Sequence, residues 1–328
     1  MNQFQYVRPA QVPGATKAIT NGANTQFLAG GTNLIDLMKM GVVAPEKLVD
    51  INNLPLKKIE GNAGGISIGA LASNTEVAEH PLIKANYPLL ALAINAGASP
   101  QLRNMATVGG NLMQRTRCPY FFDTAMPCNK RMPGSGCGAL EGYNRMHALF
   151  GASDKCIAVN PSDMNVALTA LDATVHVSGV KGKRAIKISD FHRLPGQHPE
   201  LDNTLQKGEL ITSVDLPASP FNKNVHYLKV RDRTSYAFAL VSAAVALNIE
   251  NNTIQGARLA MGGVAHKPWR LTETEAFLKG KPVSLDVFKQ AAQIAMQGAK
   301  AYEHNKFKLT LAPNTLLQAL KTASGLKA

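Results

Sequence analysis

The chain opens with short apolar runs, turn signals and helical spacings in alternation. FQYVRP is typical of a strand that ends at Pro9, PGATKAITNG of a helix, and TQFLAGG of a buried strand that runs into glycines. In TNLIDLMKMG, Leu34, Leu37 and Met38 recur at helical spacing before Gly41, and KLVDI follows as a further strand. The first 60 residues therefore predict a lobe of βαβ type.

The pattern changes after residue 60. GGISIGALAS alternates as a strand does, and NTEVAEHPLIKANYPLLALAINAGA predicts one or two helices interrupted by Pro81 and Pro88. MATVGGNLM predicts a short apolar strand broken by a glycine pair. PSDMNVALTALDATVHVSG predicts a helix with Ser162 as its N-cap, followed by the strand ATVHVSG.

A boundary is expected near residues 218–224, where LPASPFNKN clusters Pro, Ser and Asn. Three strand candidates follow: VHYLKVRD, FALVSAAVALNIE and TIQGARLAMGGV. Helical spacing then extends from about Thr272 to Gly298, and TLLQALKTASGLKA is compatible with a helix or a frayed tail.

Composition places the chain among globular proteins of two or three domains. It has 328 residues, of which 45% are hydrophobic and 17% charged. No apolar run is long enough to span a membrane. The N-terminal stretch lacks a basic segment followed by an apolar one, so we predict no cleavable signal peptide, and export would need a partner.

The net charge of +13 and the pI near 9.6 would permit binding to anionic partners. The basic residues are scattered in pairs such as Lys57-Lys58, with few aromatic residues between them. We therefore predict a basic surface without nucleic-acid binding.

All four cysteines fall within one segment that has little periodicity: Cys118, Cys128, Cys137 and Cys156. Three hypotheses compete for this spacing. Disulfides are unnecessary in a chain of this length, and structural zinc usually has a short C-x2–4-C pair, which is missing. A four-thiolate iron–sulfur cluster tolerates wide loops, and the cations Arg115, Arg117, Lys130 and Arg131 would favour an anionic cluster and raise its potential.

Two glycine pairs suggest an anion site. Gly30 and Gly31 stand between a strand and a helix, where free backbone N–H groups point at anions, and Gly109 and Gly110 repeat the pattern. Neither loop has the nicotinamide or Walker spacing. Two such loops would clamp the phosphates of a dinucleotide from opposite sides, whereas a tight turn is the simpler interpretation of each pair alone.

Together, FLAGGTNLIDLMK, RNMATVGGNLM, PSDMNVALTALDATV and MGGVAHKPWRL resemble the flavoprotein subunit of the molybdenum hydroxylases, the group of xanthine dehydrogenase and carbon monoxide dehydrogenase. The resemblance covers roughly residues 3–320. Most members run directly from the second glycine pair to the PSD helix. The cysteine insertion resembles a subset that carries a [4Fe-4S] cluster there, the flavin subunits of periplasmic aldehyde oxidoreductases and of 4-hydroxybenzoyl-CoA reductase, with the aldehyde oxidoreductases nearer.

The resemblance implies an α+β fold in two domains. Residues 1–220 would form a two-lobed FAD-binding domain of the vanillyl-oxidase (PCMH) type, with lobes at about 1–58 and 59–220 and the [4Fe-4S] insertion at about 115–158. Residues 221–328 would form a domain like the C-terminal domain of the CO dehydrogenase flavoprotein, a three-stranded sheet plus helices.

The resemblance also implies the site residues. The FAD pyrophosphate would be wrapped by backbone amides of the first loop and its strand and closed upon by the second loop. Asp163 would accept a hydrogen bond from a flavin or ribose hydroxyl or, more simply, act at the helix start. Lys229 would favour reduced, anionic flavin, and Ile211 would pack on the adenine or the ring. The loop residues are Gln26, Phe27, Leu28, Ala29, Gly30, Gly31, Thr32, Asn33 and Leu34, then Thr107, Gly109, Gly110 and Asn111.

The function implied is electron transfer within a heterotrimer. Substrate would react at a molybdenum cofactor on a large subunit, and electrons would pass through [2Fe-2S] clusters on a small subunit to FAD and then to ferredoxin, a cytochrome, a quinone-linked carrier or oxygen. Aldehydes are the expected substrates, with a 4-hydroxybenzoyl-CoA reductase-like or xanthine dehydrogenase-like complex as alternative. The periplasm is the expected location, with the cytoplasm as alternative.

Two other functions compete with this one. A self-contained flavin oxidase would need its own substrate pocket, and a zinc-stabilised binding module would use the basic surface. His80, His147, His192, His198 and His266 are dispersed, and each is expected at a surface or interface rather than as a catalytic base. No residue of this chain is predicted to be catalytic.

Overall fold

The computed structural model describes residues 1–22 and 24–326. The strands in these residues are β1 (Gln5–Val7), β2 (Thr25–Leu28), β3 (Lys47–Asp50), β4 (Ile59–Asn62), β5 (Gly65–Gly69), β6 (Thr174–Gly179), β7 (Gly182–Lys187), β8 (Leu210–Pro217), β9 (Asn224–Val230), β10 (Val241–Glu250), β11 (Thr253–Gly262) and β12 (Trp269–Arg270). The helices are α1 (Val12–Thr20), α2 (Leu34–Lys39), α3 (Asn74–Glu79), α4 (Pro81–Asn86), α5 (Pro88–Ala96), α6 (Pro100–Met105), α7 (Val108–Leu112), α8 (Pro119–Phe122), α9 (Asp163–Ala170), α10 (Ile188–Phe191), α11 (Thr272–Leu278), α12 (Leu285–Ile294) and α13 (Lys308–Ser324).

The N-terminal lobe is a three-stranded parallel sheet in the order β1-β3-β2. Its central strand β3 is apolar, and Leu48 and Val49 are buried. The predicted βαβ pattern is present, since α1 and α2 connect the parallel strands. Strand β2 lies at the edge of the sheet and is only half-buried, so the prediction of a buried strand there is wrong.

The second lobe is a five-stranded antiparallel sheet in the order β4-β5-β8-β6-β7. Helices α3, α4, α5 and α9 contribute to the hydrophobic core that covers it. The predicted one or two helices are three, because Pro81 and Pro88 each occupy the first position of a new helix, where a missing N–H costs nothing. Ser73 closes the N-terminus of α3 with a capping box to Glu76.

The segment from Pro100 to Leu112 corrects the sequence prediction. A short strand was expected in MATVGGNLM, but the chain forms α6 and then α7. The Thr107 hydroxyl accepts the N–H of Gly110 and so starts α7 as an N-cap, a local hydrogen bond that hydrophobic periodicity does not report.

The C-terminal domain pairs a sheet with three helices. Its antiparallel order is β12-β11-β10-β9, so the three predicted strands are present and the two-residue β12 adds a fourth. Helices α11, α12 and α13 cover one face and enclose a second core. The structure confirms the predicted α+β fold, and α13 shows that the C-terminal segment is helical to Ser324, with residues 327–328 outside the described part.

The insertion between α7 and α9 consists mostly of turns around the short helix α8. Cys128 and Cys137 face each other in an isolated antiparallel bridge, and all four cysteines are free. Within the described residues, no helix has the length and apolar character that crossing a bilayer requires.

Candidate functional site

The two glycine loops meet where the two lobes approach each other. A Cβ atom on Gly30 would lie 1.8 Å from the carbonyl oxygen of Met105, so no larger residue fits there without moving the backbone. Gly31 adopts a φ of 74°, in the left-handed region that favours glycine. Gly30 is therefore required by the close packing of the first loop against the end of α6, and Gly31 by its backbone conformation.

The first glycine loop has free hydrogen-bond donors. In the described residues, the N–H groups of Gly30, Gly31, Thr32 and Asn33 find no protein acceptor. The Asn33 Oδ1 accepts the backbone N–H of Arg115 at 3.1 Å, whereas its Nδ2 is buried without a partner. A buried donor without a partner is costly, so this loop suits an anionic ligand that would accept these hydrogen bonds.

The second glycine loop differs from the sequence prediction. Its backbone N–H groups are already used: that of Val108 donates to Ala72, that of Gly109 to Ala70, and those of Gly110 and Asn111 to the hydroxyl and carbonyl of the Thr107 N-cap. This loop therefore cannot clamp a phosphate with backbone amides as the first loop can. Its glycines let a ligand approach the backbone closely, and Thr107 and Asn111 can contribute their side chains.

Two adjoining cavities collect most of the predicted residues, and they share Thr32, Asn33 and Gly110. The glycine-loop cavity, about 390 Å³, is lined by Gln26, Phe27, Ala29, Gly30, Gly31, Thr32, Asn33, Leu34, Thr107, Gly109, Gly110 and Ile211. The Lys229 cavity, about 720 Å³, is lined by Thr32, Asn33, Gly110, Asn111, Asp163 and Lys229, among others. Leu28 lines neither cavity.

Asp163 and Lys229 form a buried ion pair at the wall of the Lys229 cavity. Their side chains are 8% and 3% exposed, and Lys229 Nζ lies 2.7 Å from Asp163 Oδ2. The Tyr227 hydroxyl donates to Asp163 Oδ1 at 2.7 Å, and burial, followed by the charge of Asp163, raises the Tyr227 pKa. Lys229 also donates to the carbonyl of Ala96 at the end of α5. The cation is therefore neutralised by Asp163, which weakens the electrostatic role predicted for it.

Sequence reasoning missed the residues that close the Lys229 cavity. Arg103 and Arg233 line it without a carboxylate partner among the described residues, and they donate instead to backbone carbonyls. Tyr236 and Phe238 add exposed aromatic rings to the same cavity, and the Arg233 guanidinium lies over the Tyr236 ring. Nothing in the local sequence marks these positions, because the turn after β9 reaches the cavity only through the packing of the two domains.

The four cysteines line a third cavity, named here the cysteine cavity, whose lining contains no carboxylate among the described residues. Anywhere in the described residues, no three His, Cys, Asp or Glu side chains lie close enough together to hold one metal ion. Burial, together with neighbouring thiols, raises the pKa of Cys118 to about 12 and of Cys156 to about 11. Four free thiols around one cavity match in number and chemistry the ligands that a four-thiolate cluster would need, in which each iron atom has its own cysteine.

The cysteine cavity adjoins the Lys229 cavity. Cys118 also lines a small space that it shares with Asp163 and Phe238, and both of these residues line the Lys229 cavity. Arg117, the residue before Cys118, stacks on the Phe238 ring. The two cavities are thus separated by few side chains.

The cations predicted beside the thiols are mostly paired. Arg117 contacts Asp36 at 2.6 Å, while Arg115 and the buried Lys130 both bind Asp202, at 2.7 and 2.6 Å. Burial would raise the Asp202 pKa, but the two cations outweigh it and hold the pKa at about 2. Burial raises the pKa of Cys156, and the charge of Lys130 opposes that rise in part.

Three of the histidines expected at the surface are buried: His147, His192 and His266. Burial lowers the pKa of each to about 4, so all three are neutral at neutral pH. His147 Nε2 lies 3.2 Å from Cys118 Sγ. A prediction from sequence could not find this contact, since 29 residues of irregular chain separate the two.

Family comparisons agree with this architecture. The FAD binding domain in molybdopterin dehydrogenase matches residues 2–219, and the CO dehydrogenase flavoprotein C-terminal domain matches residues 226–323. The chain belongs to the FAD-binding subunits of the molybdenum hydroxylases. As a member of that family it is an oxidoreductase subunit, and both glycine loops and the insertion lie within the FAD-binding domain.

Individual relatives span almost the whole chain. The chain is 47% identical to the aldehyde oxidoreductase FAD-binding subunit PaoB of Escherichia coli (strain K12), over 98% of this chain and 99% of that one. It is 31% identical to the glyceraldehyde dehydrogenase medium chain of Sulfolobus acidocaldarius, over 88% and 86%. The carbon monoxide dehydrogenase structure from Hydrogenophaga pseudoflava shares the fold, with a TM-score of 0.78 at 24% identity over 100% of this chain and 99% of that one.

Proposed function

We propose that this chain binds FAD along the two adjoining cavities and serves as the electron-transfer subunit of a molybdenum-dependent aldehyde oxidoreductase. Electrons would arrive from a small [2Fe-2S] subunit, after substrate oxidation on a large molybdenum-cofactor subunit. The observation that carries the proposal is the first glycine loop, whose free N–H groups and buried Asn33 Nδ2 open into the cleft of an FAD-binding domain. The likeness to an aldehyde oxidoreductase subunit supports the substrate class.

Bound FAD supplies the exchange between paired and single electrons. The chain's own residues hold and orient it. The amides of Gly30 to Asn33 would donate to the pyrophosphate, as loops before helix starts commonly do. Phe27 and Ile211 offer apolar contacts in the glycine-loop cavity. Arg103 and Arg233 bring positive charge to the Lys229 cavity, which favours an anionic ligand there.

We extend the proposal to a [4Fe-4S] cluster held by Cys118, Cys128, Cys137 and Cys156. The support is the convergence of four free thiols on one cavity next to the Lys229 cavity. A cluster at this position would stand within a few side chains of the flavin. It would supply one-electron transfer there, and the insertion would at the same time be ordered around it.

The remaining assignments follow from the same family. The chain would assemble as a heterotrimer with the large and small subunits, be exported with a signal-bearing partner and work in the periplasm. Its electron acceptor would be ferredoxin, a cytochrome, a quinone-linked carrier or oxygen. If the chain instead worked alone as a flavin oxidase, aldehyde would reduce its flavin without partners, whereas we expect reduction only in the assembled complex.

The deciding experiment measures iron, acid-labile sulfide, zinc and released flavin in the purified full chain. We expect about four iron atoms and one FAD per chain. Cys128→Ser should lose iron and keep FAD, because the glycine loops are elsewhere in the chain. Met132→Ser is the matched control: it lies in the same insertion, is largely exposed and should keep its iron. Zinc without flavin would reject the proposal in favour of a zinc-stabilised module, and iron retained in Cys128→Ser would reject the cluster ligands.

A further inference from the structure

His147 lies beside the cysteine cavity, and hydrogen bonds to its backbone carbonyl hold it there. Its carbonyl accepts hydrogen bonds from Lys308 Nζ at 3.0 Å and Asn305 Nδ2 at 3.2 Å. The residue is 2% exposed, and its ring packs at a tilt against Tyr120. The ring is therefore fixed in place, with Nε2 3.2 Å from Cys118 Sγ.

The surroundings of the ring indicate which nitrogen carries the hydrogen. His147 Nδ1 is buried and has no partner among the described residues. An N–H group is rarely left orphaned in a protein interior, so the bare nitrogen is Nδ1 and the hydrogen is on Nε2. His192 is similar in part: its Nδ1 lacks a partner among the described residues, and its Nε2 lies 3.0 Å from the carbonyl of Leu112 and 3.2 Å from Asn165 Nδ2.

Backbone hydrogen bonds hold Cys118 in position. The N–H groups of Phe121 and Phe122, in and after the first turn of α8, donate to the Cys118 carbonyl at 3.0 and 3.2 Å, and the Cys118 N–H donates to the Thr116 hydroxyl at 3.3 Å. These bonds leave the sulfur to the ring of His147. A metal-bound thiolate is an acceptor for such a donor.

We propose that the ring of His147 donates an N–H···S hydrogen bond to Cys118 when that sulfur ligates the cluster, and that this bond raises the reduction potential of the cluster. The inference rests on the proposed [4Fe-4S] site. Reduction adds negative charge that is shared by the ligand sulfurs, and a donor stabilises the more negative state more strongly. His147 acts through Cys118 and is thus a positioning residue.

The first test is a redox titration of the iron-loaded full chain, followed by electron paramagnetic resonance. In His147→Leu, the ratio of reduced to oxidised cluster at a fixed potential should fall about tenfold. This corresponds to a reduction potential that is about 59 mV lower for a one-electron couple. His147→Gln retains an N–H donor and should restore part of the loss. His192→Leu removes an equally buried histidine that faces a carbonyl and should leave the potential unchanged.

A second measurement needs no variant. Wild-type protein labelled with ¹⁵N-histidine should show weak coupling between the reduced cluster and one histidine nitrogen, by electron spin echo modulation. No coupling, or an unchanged potential in iron-loaded His147→Leu, would overturn the hydrogen bond. A strong coupling would overturn it too, because His147 would then bind iron directly. If the wild-type chain contained no iron, the proposed cluster itself would be refuted. The iron assay therefore distinguishes a failure of the cluster from a failure of the His147 hydrogen bond.

Discussion

At the scale of single residues, the pair of Lys229 and Asp163 explains why the wall of the Lys229 cavity is ordered. Asp163 lies at the start of α9 and receives both the Tyr227 hydroxyl and the Lys229 ammonium. Lys229 also caps the C-terminal end of α5 through the Ala96 carbonyl, where a cation is favourable. One side chain thus joins the two domains and satisfies a helix end.

Removing either partner should leave a buried charge. We expect Lys229→Met to lower the free energy of unfolding by about 3 kcal/mol, because Asp163 would stay buried and unpaired. The double variant Lys229→Met with Asp163→Asn should lose less than the sum of the single variants. Urea unfolding of the four proteins measures this coupling, and strict additivity would show that the pair does not interact.

At the scale of elements, α13 is attached to the insertion through its first residue. Lys308 is 0% exposed, and its ammonium donates to the carbonyls of His147 and Gly263. It has no ion-pair partner among the described residues. Burial, with a smaller contribution from Arg145, lowers its pKa from 10.5 to about 7. The helix is therefore held by a lysine that is costly to keep charged.

This lysine predicts a dependence of stability on pH. Between about pH 7 and pH 10.5 the unfolded chain keeps the Lys308 proton and the folded chain releases it, so folding becomes more favourable as pH rises. Relative to Lys308→Met, the free energy of unfolding of the wild type should increase by up to about 1.4 kcal/mol per pH unit in this window. Below pH 7 the difference should level off. Chemical unfolding of both proteins from pH 6 to 10 measures it, and parallel curves would contradict the buried, titrating lysine.

At the scale of the whole molecule, the cofactor cleft depends on how closely the two lobes approach. The first glycine loop belongs to the parallel sheet, whereas Met105 ends a helix of the second lobe. The contact between Gly30 and the Met105 carbonyl sets their separation. With the lobes at this separation, the free amides of the first loop and the capped second loop line one cavity.

Gly30→Ala should separate the lobes. The added methyl group would collide with backbone, so we expect FAD affinity to fall about tenfold or more, since overpacking of this kind costs about 1–3 kcal/mol. Gly14→Ala is the matched control: it lies in α1 with ordinary contacts and should bind FAD as the wild type does. Fluorescence titration of apoprotein with FAD compares them. Equal affinities would show that the Gly30 contact does not set the cleft.

The fold class and most elements could be predicted because they depend on local periodicity. The parallel lobe, α9 with its Ser162 cap and the three long strands of the C-terminal domain all follow from spacings within a few residues of each other. Two of the errors arose where a helix start overrides that pattern. Thr107 makes a helix of a segment that has the composition of a strand, and Pro88 starts a helix where only an interruption was expected.

The sequence by itself determined the family, the first glycine loop and the four cysteines, since each is marked by residue types that have few other uses at such spacing. Tertiary structure alone decided which donors remain free, that Asp163 neutralises Lys229 and that His147 meets Cys118. The physical reason is that hydrogen bonds and ion pairs are satisfied by whichever partner the packed chain brings within about 3 Å. Such partners here are often separated by dozens of residues, and no local pattern records them.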